Sequence, residues 1–293
     1  MKKKIIAIIL CAGEGIRLKK ITKKIPKPLI KLKGLNNISI LEHTINILIN
    51  LGTFRIAIVK GHLGSKIDEV ISSIKSKSSI LKKKLVIVDS GNQYKLGPLY
   101  SFLSITKRKN LFGKKSIYMV IPGDTIFQFN LLSQIFGNVM NNFDLIQKFP
   151  LIFYRKILVS DLREQQVSKA ISIADIEKKE FKSFLRGFNQ YGLQDLSDSD
   201  IISQIIPVFI FSFGFINNVI DFEKKISVNT IREMINYMIK NGKEIIAIKI
   251  EKEFNFYDID YENDLIRFEG LFFKKKEDNK SSDNSKNYCF EGI

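Results

Sequence analysis

Short runs of aliphatic and β-branched residues alternate with helical spacing along the first 130 residues. The runs have the length and composition of buried strands, and they cover residues 5–10, 55–59, 85–88 and 116–121. Between them, apolar residues recur at helical spacing in segments 41–49 and 67–74. This alternation predicts an α/β fold class, with a Rossmann-like, mostly parallel sheet flanked by helices.

The pattern is less regular in the second part of the chain. One helix is well marked there, because Thr230 and Glu233 have the spacing of a capping box and Asn241-Gly242 is a helix stop. Strands and one polar loop are also predicted, the strands near residues 151–154, 208–213 and 245–250 and the loop around 195–200.

The end of the chain has a different composition. From Lys274 onward the residues are polar and charged, which predicts a disordered tail over 274–293. The rest is long enough for one large hydrophobic core. We therefore expect a single domain over residues 1–273, made of two halves, 1–130 and 131–273.

Charge and cysteine content narrow the class of protein. A net charge of +17 is compatible with nucleic acid, an anionic membrane surface or a polyphosphate ligand. The lysines are spread along the whole chain, so we expect no nucleic-acid partner.

Cys11 and Cys289 have no second pair nearby, which excludes a disulfide framework or a zinc site and suits a reducing cytoplasm. The longest apolar stretch, 207–216, is too short to span a membrane, and the run 5–10 is short for a signal peptide.

The most informative segment follows the first predicted strand. Gly13 and Gly15 place a backbone without Cβ atoms at the carboxyl end of that strand, where N–H groups can point at a phosphate. Arg17 and Lys27 can add charge-assisted hydrogen bonds to phosphate oxygens. The spacing fits neither a P-loop nor a dinucleotide-binding motif. A glycine turn followed by solvated lysines is the alternative for the glycines alone.

The complete spacing of this segment resembles the opening motif of the sugar-phosphate nucleotidyltransferase family, GxGxRLxxxTxxxPKPL. The resemblance implies a nucleotide-diphospho-sugar transferase fold of the GT-A-like type. It also implies that residues 1–130 form a nucleotide-binding half and 131–273 an acceptor-binding half. It further implies that the triphosphate is held by Ala12, Gly13, Gly15, Arg17 and Lys27. Pro26 and Pro28 fix two φ angles and stiffen the loop that presents Lys27.

Carboxylates occur at two other places with family-like surroundings. Asp124 ends the segment Ile-Pro-Gly-Asp after a buried strand and resembles the metal-binding aspartate of the family. The segment FYDIDYENDL resembles a DxDxxxDL pattern, and Asp258 and Asp260 should face one side of an extended chain. We expect Asp124, Asp258 and Asp260 to bind Mg²⁺, and Asp264 to cap a helix. A helix cap at Asp124 and a solvated acidic turn at 258–260 are the alternatives.

The sequence identifies less clearly which residues would bind the base and the acceptor. Gln93 and Gly97 partly match the family's base-reading region, so they are predicted nucleotide-binding residues and the base stays open. The acceptor-binding half departs further from the family, and only Lys178, in Glu-Lys-Lys, is a candidate for the acceptor phosphate. His43 and His62 are expected to be packing or surface residues, because the chemistry needs no imidazole.

The resemblance implies an enzyme that transfers a nucleoside monophosphate from a nucleoside triphosphate to a sugar 1-phosphate and releases pyrophosphate. Arg17, Lys27 and Asp124 would be the catalytic residues, and Mg²⁺ the cofactor. A cytidylyltransferase for phosphocholine or an inositol phosphate, a non-catalytic nucleotide-binding regulatory subunit and an RNA-binding protein are the alternatives. The expected partners are the nucleoside triphosphate and a phosphorylated small molecule, with no nucleic acid and no membrane. Assembly into a homo-oligomer is left open.

Overall fold

A computed structural model describes residues 3–165, 170–251 and 253–281 of the chain. The strands are β1 Lys4–Cys11, β2 Arg55–Lys60, β3 Leu85–Asp89, β4 Ser116–Pro122, β5 Thr125–Phe127, β6 Leu151–Leu158, β7 Ala170–Lys179, β8 Lys182–Gly192, β9 Ile201–Ser212, β10 Ile246–Lys249 and β11 Phe256–Asp258.

The α-helices lie between these strands and after the last one. They are α1 Lys19–Thr22, α2 Ile40–Asn50, α3 Gly64–Ser76, α4 Ser79–Lys84, α5 Pro98–Leu103, α6 Phe129–Asn141, α7 Phe143–Ile146, α8 Val159–Gln165, α9 Phe213–Glu223, α10 Ile231–Lys240 and α11 Glu262–Ser281. Within the described ranges, no helix is both long and apolar enough to cross a membrane. Short 3-10 helices occupy Ile16–Leu18, Lys27–Leu29, Lys33–Leu35, Gly91–Leu96, Ser104–Lys107 and Leu193–Asp195.

One large sheet has the strand order β3-β2-β1-β4-β9-β6-β10-β8-β7. Its first four strands are parallel, as βαβ units require. The second part is mixed, because β9 runs antiparallel to both β4 and β6, and β7 and β8 form an antiparallel hairpin. A further pairing between β7 and β9 curls this end of the sheet. The α/β class is confirmed, and the parallel arrangement holds mainly for the first half.

Two hydrophobic clusters cover the two faces of the sheet. Alternate residues of β1 separate them, since Ile5, Ala7 and Ile9 pack with α2, α3 and α6 while Ile6 and Ile8 pack with α5, α9 and α10. A smaller cluster, which includes Leu18, Ile126, Ile259 and Phe268, packs the loop after β1 against β5, β11 and α11. This third cluster holds together the segments that carry the candidate site.

The strands and helices predicted for the first half are all present. Helix α2 starts with a capping box, in which the Ser39 hydroxyl accepts from the Glu42 amide and the Glu42 carboxylate accepts from the Ser39 amide. In the second half, the capping box of Thr230 and Glu233 is confirmed at the start of α10. The helix of that half was therefore as predictable as those of the first.

The second half also contains features that the sequence pattern did not predict. The β7–β8 hairpin lacks an Asn-Gly or Asp-Gly turn; instead Glu180 adopts a positive φ of 50°, and a bulge follows Asp175. Helix α11 continues to Ser281, so the first residues of the predicted disordered tail are helical. Lysine and glutamate are good helix formers and can extend a helix that has already started. The rest of the predicted tail, 282–293, lies outside the described residues.

Candidate active site

The carboxyl ends of β1 and β4 bring two sequence motifs to one edge of the sheet. The glycine loop follows β1 directly, and Gly123 of the second motif donates its amide to the Leu10 carbonyl at 2.9 Å. A Cβ at Gly123 would lie 2.7 Å from the Cys11 Sγ, so only glycine fits this crossing. Asp124 is therefore held beside the glycine loop, at the edge where α/β sheets bind ligands.

The glycine loop is closed by the threonine of the motif. Gly15 has a φ of +62°, a conformation that favours glycine. The Thr22 hydroxyl donates to the carbonyls of Gly15, at 2.9 Å, and Leu18, at 3.0 Å. These bonds tighten the turn that carries Arg17. They give the threonine a structural role that the sequence motif alone does not reveal.

Lys27 is the centre of the candidate site. Its ammonium donates to Asp124 Oδ2 at 2.6 Å and to Asp260 Oδ1 at 2.7 Å, and its side chain is only 8% exposed. Burial disfavours the charged form, but the carboxylates of Asp124 and Asp260 outweigh it and raise the pKa of Lys27 to about 12. Lys27 is thus a fixed cation that joins the glycine loop to Asp124 and Asp260, which lie 97 and 233 residues further along the chain.

Arg17 lies on the solvent side of the same cluster. Its guanidinium contacts Asp260 Oδ2 at 3.2 Å, and its carbon Cζ lies 5.8 Å from the centre of the Tyr261 ring. The side chain of Arg17 is 63% exposed. A weak, exposed ion pair of this kind costs little to exchange for another anion, so Arg17 is able to turn towards a phosphate.

A short two-stranded ribbon brings the last carboxylates to the site. Strand β11 pairs with β5, which sets Asp258 opposite Thr125, and the Thr125 hydroxyl donates to Asp258 Oδ1 at 2.6 Å. One residue later, the Ile259 amide donates to the Asp124 carbonyl at 3.3 Å. The chain then turns into α11, where Asp264 accepts from the amides of Asp260 and Tyr261, both at 2.8 Å. The predicted capping role of Asp264 is confirmed.

The three predicted metal ligands supply carboxylate oxygens, the atoms that a hard divalent cation binds. Asp124 and Asp260 each direct one oxygen at the same Lys27 ammonium, so two carboxylates converge on one cation position. Asp258 stands on the adjacent ribbon. The described residues contain no preassembled group of three or more His, Cys, Asp or Glu side chains that could hold a metal. One or two carboxylates, with substrate phosphates and water, are the usual ligands of Mg²⁺.

The predicted base-reading segment lies beside the glycine loop. Gln93 accepts a hydrogen bond from the Ser104 hydroxyl at 3.0 Å. Gly97 has a φ of +118°, and a Cβ there would lie 2.5 Å from the carbonyl oxygen of Asn229, which precedes α10. Asn229 also accepts from the Leu99 amide at 3.1 Å. Gly97 is therefore one of the points where the first half contacts the second.

An ion cluster that the sequence analysis missed supports the same segment. Lys60, at the end of β2, contacts Asp68 Oδ2 at 2.6 Å and Asp89 Oδ2 at 3.3 Å. Asp89 also accepts from the Gly91 amide at 2.8 Å, and this bond is the largest cause of the lowered pKa of Asp89. Asp89 lies on the next strand of the sheet, so no local motif could reveal the complete cluster. The bond to Gly91 fixes the start of the turn that carries Gln93.

Lys178 is the one predicted site residue that the structure does not bring to this edge. It pairs with Ser183 near the tip of the β7–β8 hairpin. Its neighbour Lys179 lines a cavity of about 200 Å³ together with Lys243 and Glu244, which precede β10. This is the amino-terminal end of β10, whereas the site lies at the carboxyl ends of the parallel strands.

The two histidines lie outside the chemistry, as expected. His43 is buried, and its Nε2 lies 2.9 Å from the Phe127 carbonyl oxygen. Burial lowers the pKa of His43, against the effect of this hydrogen bond. His62 lies beside Tyr94, with ring centres 6.3 Å apart. Both are packing residues near the site rather than members of the cation and carboxylate cluster.

Comparison with known proteins agrees with this geometry. Residues 6–143 match the family model described as nucleotidyl transferase. The predicted resemblance is confirmed. The match spans the glycine loop and Asp124 and ends at residue 143, near the start of the predicted acceptor-binding half. No curated protein matches the chain by sequence.

Solved structures extend the similarity of fold to nearly the whole chain. A UDP-glucose pyrophosphorylase in complex with UDP-glucose superposes with a TM-score of 0.67 at 15% identity, covering 93% of this chain and 99% of the other. A Bacillus anthracis structure described as a glucose-1-phosphate thymidylyltransferase gives 0.65 at 17%, covering 96% and 98%. CTP:phosphocholine cytidylyltransferase from Streptococcus pneumoniae gives 0.60 at 18%, covering 92% and 99%. The nucleotide-diphospho-sugar transferase fold is confirmed for both halves.

Proposed function

We propose that this chain transfers a nucleoside monophosphate from a nucleoside triphosphate to a sugar 1-phosphate and releases pyrophosphate. The contact of Lys27 with both Asp124 and Asp260 carries this proposal. It joins the phosphate-binding loop and the two carboxylate motifs in one cluster. The nucleotidyl transferase match over residues 6–143 and the sugar-nucleotide enzymes among the similar structures support it.

In the proposed reaction, an anionic oxygen of the acceptor phosphate attacks the α-phosphorus of the nucleotide. A bond forms between that oxygen and the α-phosphorus, the bond to the bridging oxygen breaks, and pyrophosphate leaves with the electron pair. The attacking oxygen is already ionised, so no general base is required. Catalysis therefore depends on positioning and on stabilisation of charge.

The residues of the cluster divide these tasks. Ala12, Gly13 and Gly15 would hold the triphosphate through the loop backbone, and Gln93 and Gly97 would contact the nucleoside. Lys27, fixed by Asp124 and Asp260, would keep the α-phosphate in line with the attacking oxygen. Arg17 would leave its exposed contact with Asp260 and stabilise the departing pyrophosphate.

Magnesium is the proposed cofactor. Asp124, together with Asp258 or Asp260, would hold it, and when bound it would neutralise negative charge on the triphosphate. Arg232 is another cation near Asp258, and burial lowers its pKa against the opposing effect of that carboxylate. We also propose a cytoplasmic location, which suits both substrates.

A cytidylyltransferase for phosphocholine or an inositol phosphate is the second candidate. It is supported by the CTP:phosphocholine cytidylyltransferase fold neighbour, which matches 92% of this chain. The two candidates share the nucleotide chemistry and differ in the acceptor. Their separation therefore requires a substrate panel rather than a mutation.

The test measures pyrophosphate release with each of four nucleoside triphosphates against sugar 1-phosphates, phosphocholine and an inositol phosphate. We expect release that requires Mg²⁺ and a sugar 1-phosphate. Release only with phosphocholine or the inositol phosphate would establish the second candidate. Nucleotide binding without release in any combination would indicate a regulatory subunit. Reactions without acceptor or with a metal chelator are the controls.

A further inference from the structure

The ribbon that carries Asp258 and Asp260 has little backbone support of its own. In the described residues, β11 pairs only with β5, through three residue pairs ending at Asp258 opposite Thr125. Short two-stranded ribbons are marginally stable unless they pack against another element. Something beneath the ribbon must therefore fix the position of the two carboxylates.

Arg155 on β6 occupies that place. It is fully buried, with 0% exposure, and is the bulkiest of the most deeply buried side chains. Its Nε donates to Gln204 Oε1 on β9 at 2.8 Å. Its Nη1 donates to the Phe254 carbonyl at 3.0 Å and to Asn255 Oδ1 at 2.6 Å. One guanidinium thus ties the large sheet to the two residues that precede β11.

The same guanidinium supports the first residue of β11. Its carbon Cζ lies 5.2 Å from the centre of the Phe256 ring, within range of a cation–π contact. Phe256 also stacks on Phe127 of β5, with ring centres 6.2 Å apart. The first residue of β11 therefore contacts both the buried cation and an aromatic ring of β5.

Asn255 is the corner at which this support reaches the ribbon. Its amide donates to Gln128 Oε1 at 2.9 Å, and its carbonyl accepts from the Gln128 amide at 3.2 Å. Its side-chain oxygen is the acceptor for Arg155. Main chain and side chain of Asn255 are both fixed, three residues before Asp258.

A buried cation is an unusual choice if the position needed only stability. Burial lowers the pKa of Arg155 to about 10, so the guanidinium is still protonated at neutral pH. Well-packed apolar residues often stabilise such positions equally well. What they cannot supply is a planar group that donates in fixed directions to three separate acceptors. The directions of these bonds, rather than burial alone, specify where β11 begins.

We propose that Arg155 is a positioning residue, which sets Asp258 and Asp260 against Asp124 and Lys27 and so determines how tightly the site binds a divalent cation. The claim that the positions of Asp258 and Asp260 determine metal affinity rests on the proposed function. The claim that Arg155 fixes the ribbon does not, because it concerns contacts within the chain. The two claims can be tested separately.

The first measurement is hydrogen exchange of the metal-free protein across residues 254–260, including the Ile259 amide that bonds to Asp124. Arg155→Lys keeps the charge but loses the planar fork, and Asn255→Ala removes one acceptor with little loss of packing. We expect exchange at least tenfold faster in both. Asn255→Asp keeps the acceptor oxygen and should exchange like the parent. Unchanged exchange in Arg155→Lys and Asn255→Ala would overturn the proposal.

The second measurement is the affinity for Mn²⁺ by electron paramagnetic resonance, with a nucleoside triphosphate present. We expect at least tenfold weaker binding in Arg155→Lys and Asn255→Ala. Tyr118→Phe is the control, because this buried hydroxyl bonds to Leu111 and Gly113 at the other end of β4. An equal loss of Mn²⁺ affinity in Tyr118→Phe would show a general effect of destabilisation and overturn the proposal. Unchanged Mn²⁺ affinity in variants whose ribbon exchanges faster would refute the claim that Arg155 determines metal binding. If no substrate pair reacts, the exchange measurement still decides whether Arg155 fixes the ribbon.

Discussion

The first half of the chain builds its share of the site from contiguous segments, whereas the second half relies on pairings between distant residues. The glycine loop, Thr22 and Lys27 lie within one short stretch, and the contacts that shape this loop are mostly local. Asp258 and Asp260, which lie far from the glycine loop in sequence, reach the site through the pairing of β11 with β5. The family match, which covers residues 6–143, follows the same division.

Under the proposed function, this difference separates the binding of the two substrates. Triphosphate binding needs amides and cations in a fixed local arrangement, which one loop after a strand can supply. In the proposed function the acceptor would be bound by the second half, where the mixed strand pairing differs from the parallel first half. We therefore expect substitutions in the first half to act on chemistry and those in the outer second half to act weakly or on stability.

The largest effect is expected for Asp124→Asn, which removes a carboxylate charge without changing side-chain volume. Asp124 is the one predicted metal ligand that the first half supplies, and its carboxylate contacts Lys27. We expect kcat to fall on the order of a thousandfold, because stabilisation of charge on the phosphates is lost. Pyrophosphate release at saturating Mg²⁺ measures this. Asp144→Asn, at an exposed carboxylate on α7, is the matched control.

Turnover close to that of the parent at saturating Mg²⁺ would remove Asp124 from the metal site. The acidic motifs of the second half would then carry the cation without help from the first. That outcome would break the division of roles between the two halves, because the first half would bind the triphosphate only.

The site residues that could be identified from the sequence all lie in short local motifs, and each motif has a physical explanation. Lys27 was singled out from Pro-Lys-Pro, and Asp264 from its place at a helix start, where it caps the helix as expected. The contacts of Lys27 with two carboxylates were not predicted. Arg155 and the Lys60 cluster were not predicted. Their partners lie on other elements, and an arginine in an apolar strand gives no sign of whether it faces solvent or the core. Such contacts exist only after the sheet has formed.

The second-largest effect is expected for Lys27→Ala. This variant tests whether the position of Lys27 in the site matters, or only the positive charge of the loop. Lys27 contacts carboxylates from both halves and is nearly inaccessible, whereas Lys23 and Lys24 on the same loop are exposed. We expect kcat/KM to fall about a hundredfold or more for Lys27→Ala. Lys23→Ala and Lys24→Ala should stay within about twofold, since exposed charges contribute little. Equal, small losses in all three variants would exclude Lys27 from the site.

The same variant should also affect stability, with a sign that follows from the pKa. The folded state raises the pKa of Lys27 from 10.5 to about 12. Its ion pairs therefore stabilise the fold fully below pH 10.5, and this contribution is lost as the pH rises through about 12. At neutral pH, Lys27→Ala leaves Asp124 and Asp260 facing each other without the shared ammonium. We expect a lower Tm than in the parent, and a larger rise in Tm on addition of Mg²⁺.

The smallest effect is expected at Lys178, where sequence resemblance and structure disagree. The β7–β8 hairpin approaches the site at its other end, where the Ser172 hydroxyl accepts a hydrogen bond from Arg232. Lys178 lies six residues further along β7, or roughly 20 Å at the rise of a strand. An ammonium at that distance cannot contact the acceptor phosphate, so Lys178→Ala should change the KM for the acceptor by less than about twofold. Lys182→Ala, on the same hairpin tip, is the matched control and should behave alike.

A rise in acceptor KM of tenfold or more for Lys178→Ala alone would mean that the hairpin folds over the site when substrate binds. In that case the second half would reach its substrate through a movement that the first half does not need.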